Sequence, residues 1–151
     1  MGEFIFNFSY FNDDDLVLIG GSTHAGEEEI LIRVFERLKE TFPNLKLIIA
    51  PRHIERTGDV SRLIEKMGFI PVLKTRLEGS NYNWQNRKKE IILIDTVGDL
   101  EKIYSLSNYV FVGKSLVPSG GQNMMEPAGL GKPVVFGPHT FNFKEETGLL
   151  L

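Results

Sequence analysis

Six short apolar runs constrain this chain more than anything else in it. Residues 16–19, 45–50, 70–73, 91–94, 109–112 and 133–136 read as short buried strands. Between them lie stretches with helical spacing. In residues 27–42 the apolar positions Ile30, Leu31, Val34, Phe35, Leu38 and Phe42 fall on one helical face, and Pro43 and Asn44 stop the helix. Residues 59–67 predict a second helix closed by Gly68, residues 99–107 a third, and residues 126–130 the start of a fourth. The chain closes on residues 145–151, which read as a helix still under way. Strands alternating with helices predict an α/β fold, a doubly wound parallel (Rossmann-like) sheet whose ligands sit at the carboxyl ends of its strands.

The length of 151 residues suits one domain with a real core. Residues 16–151 are expected to form it. In residues 1–15 the alternating Phe4, Phe6, Phe8 and Tyr10, followed by Phe11, suit either an edge strand or a linker. A net charge of -3 and an isoelectric point near 5.6 give no electrostatic reason to expect nucleic acid. Without cysteine there is no disulfide framework and no thiolate chemistry, which fits a reducing compartment. There is no signal peptide, and no apolar run approaches the roughly 18 residues of a membrane span. A soluble, cytoplasmic chain is the expectation.

On this sheet the loops after the strands carry Ser22, Thr23 and His24; Pro51, Arg52 and His53; residues 95–99; residues 114–123; and Pro138, His139 and Thr140. All these polar clusters fall on one edge, which points to a shared site. Residues 74–90, with Arg76, Asn81, Trp84, Arg87, Lys88 and Lys89, read as a solvated surface excursion, although a basic aromatic loop also suits base stacking. Arg52 stands where a dinucleotide-binding domain places an acid for the ribose, and the chain has no G-x-G-x-x-G run, so a nicotinamide enzyme is not expected. A guanidinium there suits a phosphate or carboxylate, the plainer alternative being a surface pair with Glu55. Gly113-Lys114-Ser115 is not the end of a phosphate-binding P-loop, because Asn108 stands where its first glycine belongs. His24, His53 and His139 lie on separate loops without helical ligand spacing, so neither a metal nor a cofactor is expected. Glu27, Glu28 and Glu29 open a helix and complement its dipole.

Gly120 and Gly121 fall between a predicted strand end and a helix start, where backbone amides bind phosphate. Pro127 suits the first helical turn. Glu126, at that start, has two oxygens able to accept from both hydroxyls of a ribose. Taken alone, a capping glutamate after a flexible turn explains the same residues.

The run from Gly113 through Ser115-Leu-Val-Pro118, Gly120-Gly121, Asn123, Glu126-Pro-Ala128 and Gly131-Lys-Pro-Val134 to Gly137-Pro-His-Thr-Phe-Asn-Phe143 resembles the signature of the 3-deoxy-D-manno-octulosonic acid (Kdo) transferases of lipopolysaccharide synthesis. Further blocks, Gly21-Ser-Thr-His24 with Gly26-Glu-Glu-Glu29, Ala50-Pro-Arg-His53, and Asp95-Thr96 with Gly98-Asp-Leu100, resemble the family in its order. The resemblance implies the C-terminal, nucleotide-sugar-binding half of a two-domain GT-B type glycosyltransferase. It places CMP on Pro51 and Arg52, on Gly98, Asp99 and Leu100, and on Asn123, Met124, Met125 and Glu126, with Ser22 and Thr23 near the phosphate or sugar acid and Gly120 and Gly121 beside them. The implied donor is CMP-Kdo and the acceptor a lipid A precursor, held by an N-terminal domain with no counterpart here. That domain would also carry the general base, so no catalytic residue is expected in this chain and no transfer by it alone. The full-length enzyme is expected at the cytoplasmic face of the bacterial inner membrane. Lys114 and Gln122 depart from the family pattern, which usually has glycine and histidine there. A different nucleotide sugar, or a stand-alone nucleotide-sensing module, is the alternative reading.

Overall fold

The structure, a computed structural model, describes residues 11–77, 88–116, 120, 125–139 and 144–150. Elements follow in the order β1 (Leu16–Thr23), α1 (Glu27–Thr41), β2 (Leu45–Pro51), a 3-10 turn (Ile54–Arg56), α2 (Thr57–Lys66), β3 (Ile70–Leu73), α3 (Lys74–Leu77), β4 (Glu90–Leu93), α4 (Leu100–Leu106), β5 (Tyr109–Val112), α5 (Met125–Gly129), β6 (Val134–Val135) and α6 (Lys144–Leu150). Residues 12–15 form a turn in which the Asp15 amide donates to the Asn12 carbonyl at 3.0 Å. The aromatic positions 4, 6, 8 and 10 lie outside the described residues, as do residues 78–87 of the basic loop.

All six strands are parallel, in the order β3-β4-β2-β1-β5-β6. From β1 the chain builds outward on one flank through β2, with β4 inserted between β2 and β3. It then crosses to the other flank for β5 and β6. The connections leaving β1 and β5 therefore diverge, which opens a crevice at their carboxyl ends.

The sheet is covered on both faces by different helices. Leu45, Leu47, Ile49, Ile91 and Leu93 pack on Ile32 and Phe35 of α1 and on Val60 and Ile64 of α2. On the opposite face Val17, Ile19, Ile48, Ile92, Val110 and Val112 pack on Ile103 and Tyr104 of α4. Strands enclosed in this way must be apolar on both faces, which is why residues 47–51 of β2 are apolar without a break.

Two local expectations are corrected. Gly20 and Gly21 do not begin a loop: β1 runs on to Thr23. A Cβ on Gly20 would stand 2.5 Å from Leu31 Cδ1, and one on Gly21 would stand 2.2 Å from the Tyr104 hydroxyl. The glycines are therefore in-strand residues that admit α1 on one face and α4 on the other. The buried stripe of α1 is also turned from the one expected. Ile32 is fully buried, whereas Ile30, Val34, Leu38 and Phe42 are each about two-fifths exposed. With Tyr109 and Val135 these four line an apolar groove of about 470 Å³ beside β5 and β6.

Candidate donor site at the strand carboxyl ends

The loops at the carboxyl edge are tied to one another by backbone bonds. The Arg52 amide donates to the Thr23 carbonyl at 3.0 Å, joining the ends of β1 and β2, and the Ile94 amide donates to the Ile49 carbonyl at 2.9 Å, joining β4 to β2. The Gly113 amide donates to the Gly21 carbonyl at 2.8 Å, joining β5 to β1. Edge and helix-start residues thereby become one rigid rim.

Within this rim lies a pocket of about 220 Å³ whose lining includes Ser22, Pro51, Arg52, Gly98, Asp99 and Leu100, with Ile94, Thr96 and Val97. Six residues expected on three separate loops thus share one concavity. Arg52 is exposed, and among the described residues its guanidinium has no carboxylate partner. Glu55 stands instead 3.9 Å from His53 Nδ1, so the pair with Arg52 considered above does not form. Thr23 does not line the pocket. It is fully buried, and its carbonyl accepts from the Arg52 amide and, at 3.4 Å, from Arg56 Nη1.

Asp99 has a second task. Its Oδ2 accepts from Lys74 Nζ at 2.9 Å and from Thr96 Oγ1 at 2.8 Å, and Lys74 Nζ reaches Thr96 Oγ1 at 3.2 Å. The Lys74 hydrogen bond, against the opposing pull of desolvation, holds the Asp99 carboxyl below its ordinary pKa. Lys74 is only 2% exposed, so the solvated role expected for the start of the basic loop is wrong for this residue. The triad, with Lys74 buried and Thr96 and Asp99 half-buried, braces the turn that carries Gly98, whose φ of 90° is a left-handed value suited to glycine. Nothing in the spacing of Lys74 pointed to it.

At the β1 and β5 ends the organising group is Glu27, fully buried. Its Oε1 accepts from the His24 amide at 2.9 Å and the Lys114 amide at 2.6 Å. Its Oε2 accepts from the Ser115 amide at 3.1 Å and the Leu116 amide at 3.0 Å. Glu28 stands 2.6 Å from Arg56 Nη1, joining the start of α1 to that of α2, and Glu29 pairs with Arg33 at 2.6 Å on the surface. The three consecutive glutamates, expected to act together on a helix dipole, have three different environments. His24 packs edge to face on His53 with ring centroids 5.8 Å apart. Burial lowers the His24 pKa, opposed by its bond to the Ser22 carbonyl and by Glu27, and helped by Lys114 and His53.

On the other flank Gly120 is buried with φ 91°, while Met125 and Glu126 are exposed at the start of α5. Gly121, Asn123 and Met124 lie outside the described residues. Helix α5 has only five residues, so its dipole is small; Gly129 and Gly131, the latter at φ 74°, end it early. Glu126 acts electrostatically on Tyr104, whose pKa burial and then this charge raise above the ordinary phenol value. Tyr104 lies against Gly21, so Glu126 is felt at the carboxyl end of β1, outside the pocket that holds Arg52. No described helix is long and apolar enough to cross a membrane.

No model of a protein family matches the sequence. Among curated proteins, the 3-deoxy-D-manno-octulosonic acid transferase of Haemophilus influenzae is 40% identical over 135 residues, 89% of this chain and 30% of that protein. That of Aquifex aeolicus is 36% identical over 82% of this chain and 32% of its own length. A bifunctional glycosyltransferase/methyltransferase of Fusobacterium nucleatum is 43% identical over 85% of the chain and 19% of its length. The chain thus spans about a third or less of these relatives. A solved structure, the C-terminal CMP-Kdo binding domain of WaaA from Acinetobacter baumannii, superposes with a TM-score of 0.78 at 30% identity, over 90% of this chain and 68% of that one. Motif, fold and these similarities agree: the chain belongs to the 3-deoxy-D-manno-octulosonic acid transferase family.

Proposed function

We propose that this chain is the donor-binding domain of a Kdo transferase, taking CMP-Kdo in the crevice at the strand carboxyl ends. The observation that carries the reading is the pocket in which Ser22, Pro51, Arg52 and the turn at 98–100 meet, with a guanidinium that has no carboxylate partner among the described residues. Arg52 would grip the phosphate with two parallel hydrogen bonds and stabilise negative charge as CMP departs. The Gly120 and Gly121 amides would add to that stabilisation. Pro51 and the 98–100 turn would hold the nucleotide, with Thr23 supporting Ser22 from beneath. Glu126, with Asn123, Met124 and Met125, would hold the ribose from the other flank. Transfer of Kdo to a lipid A precursor would need the remaining length that the relatives possess, including a general base within reach of the acceptor hydroxyl.

Titration with CMP, UMP and GMP, followed by backbone amide shifts, tests the reading. CMP is expected to bind in preference, shifting Arg52, Gly98 and Glu126. Arg52→Ala is expected to weaken CMP by about tenfold to a hundredfold, the scale of hydrogen bonds to a charged group. Preference for UMP or GMP would assign a different sugar donor, and equal binding of the three or no binding would refute the proposal.

A further inference from the structure

The amides of Lys114, Ser115 and Leu116 converge on the two oxygens of Glu27, at 2.6, 3.1 and 3.0 Å. Successive amides turned toward one point form a concavity of the kind that binds phosphate. Here a side chain of the protein itself fills it, and Glu27 has no exposed surface. A bound nucleotide must therefore place its phosphate elsewhere.

Filling that concavity fixes the two loops that flank the crevice. The fourth bond to Glu27 comes from the His24 amide at 2.9 Å, so one carboxylate joins the loops after β1 and β5. Each side carries a non-glycine residue in the left-handed region, Ser22 at φ 53° where the register shifts near the end of β1, and Lys114 at φ 60° after β5. Such conformations persist only where surrounding contacts dictate them, and they concentrate at functional sites. The loops are also pressed together, since a Cβ on Gly113 would stand 2.2 Å from the Ser22 carbonyl oxygen. Ser22, held in this way, lines the pocket that contains Arg52.

We infer that Glu27 is a positioning residue for the phosphate end of the donor site, holding Ser22 and Lys114 in the left-handed conformations that shape the crevice between β1 and β5. The inference rests on the donor-site reading above. It predicts an effect on phosphate recognition that a loss of stability alone does not produce.

The test compares CMP with cytidine, which lacks the phosphate, by calorimetry on the native chain, on Glu27→Gln and on Val60→Ala. Val60 is a buried residue of α2 in the core on the α1 and α2 side of the sheet and is not among the residues lining the Arg52 pocket, so its truncation lowers stability without removing a contact to the loops. Glu27→Gln is expected to weaken CMP by between about tenfold and a hundredfold, the penalty for misplacing a contact by about an ångström, while leaving cytidine unchanged. Val60→Ala should leave the ratio of the two affinities intact. Amide shifts of the native chain give a readout independent of how well the variant folds: Ser22, His24 and Lys114 should respond to CMP and not to cytidine. Equal weakening of both ligands, no weakening, or an equal shift response to both overturns the role of Glu27. Failure of the native chain to bind CMP overturns the donor-site reading and this inference with it.

Discussion

Among single residues, the pairing of buried Lys74 with half-buried Asp99 has a consequence measurable without any ligand. Asp99 has a folded-state pKa below its ordinary value because Lys74 donates to it. A depressed carboxylate contributes stability that is present above its unfolded value and lost as pH falls through the folded one. Thermal unfolding followed from pH 5 downward should therefore lose part of its acid slope in Asp99→Asn, and an unchanged slope would show that the pair contributes nothing. At this scale the sequence was only partly readable. Arg52, Gly98 and Ser22 could be placed because each lies at or beyond the carboxyl end of a strand, and position along the chain was enough to put them on one edge. Lys74 and Glu27 could not be placed. A lysine heading a polar stretch and the first of three glutamates look solvated until folding shows which side chain turns inward.

Helices and strands were readable in kind and less so in extent. All six strands could be located from their apolar runs, but β1 was cut short because its glycines look like turn residues. Only the ring of Tyr104 and the methyls of Leu31, distant in sequence, show that they serve close packing. The stripe of α1 was misjudged for a similar reason, since two adjacent apolar faces are available and the sheet selects the one through Ile32 and Phe35. At the end of that helix Lys39 sits over the Phe35 ring, 5.0 Å from its centroid. Burial, then the charges of Lys46, Lys89 and Lys88, lower its pKa from 10.5 to about 8. Between those two values the unfolded chain binds more protons than the folded one, so stability should rise with pH across that window. Denaturant unfolding at pH 8 and pH 10 should show this rise in the native chain and a smaller one in Lys39→Gln; identical slopes would mean that folding does not lower the Lys39 pKa.

For the molecule as a whole, the strand order could not be read from the sequence, because pairing across the sheet is a property of distant segments. Nothing local announces that β4 slides between β2 and β3. The same order gives a global expectation for the proposed ligand. A nucleotide bound only by the folded chain should raise its unfolding free energy by about 2.7 kcal/mol at a hundred times its dissociation constant. A melting temperature indifferent to saturating CMP would contradict this. The central place of β1 has one more consequence. Among the described residues, the walls of the Arg52 pocket are supplied by residues between Ser22 and Leu100, whereas Glu126 comes later in the chain, with the opposite flank. On a ribosome those wall residues would be translated before the segment that carries Glu126, and a nucleotide touching both would act as a late fastener, clamping the later segment onto what was already assembled.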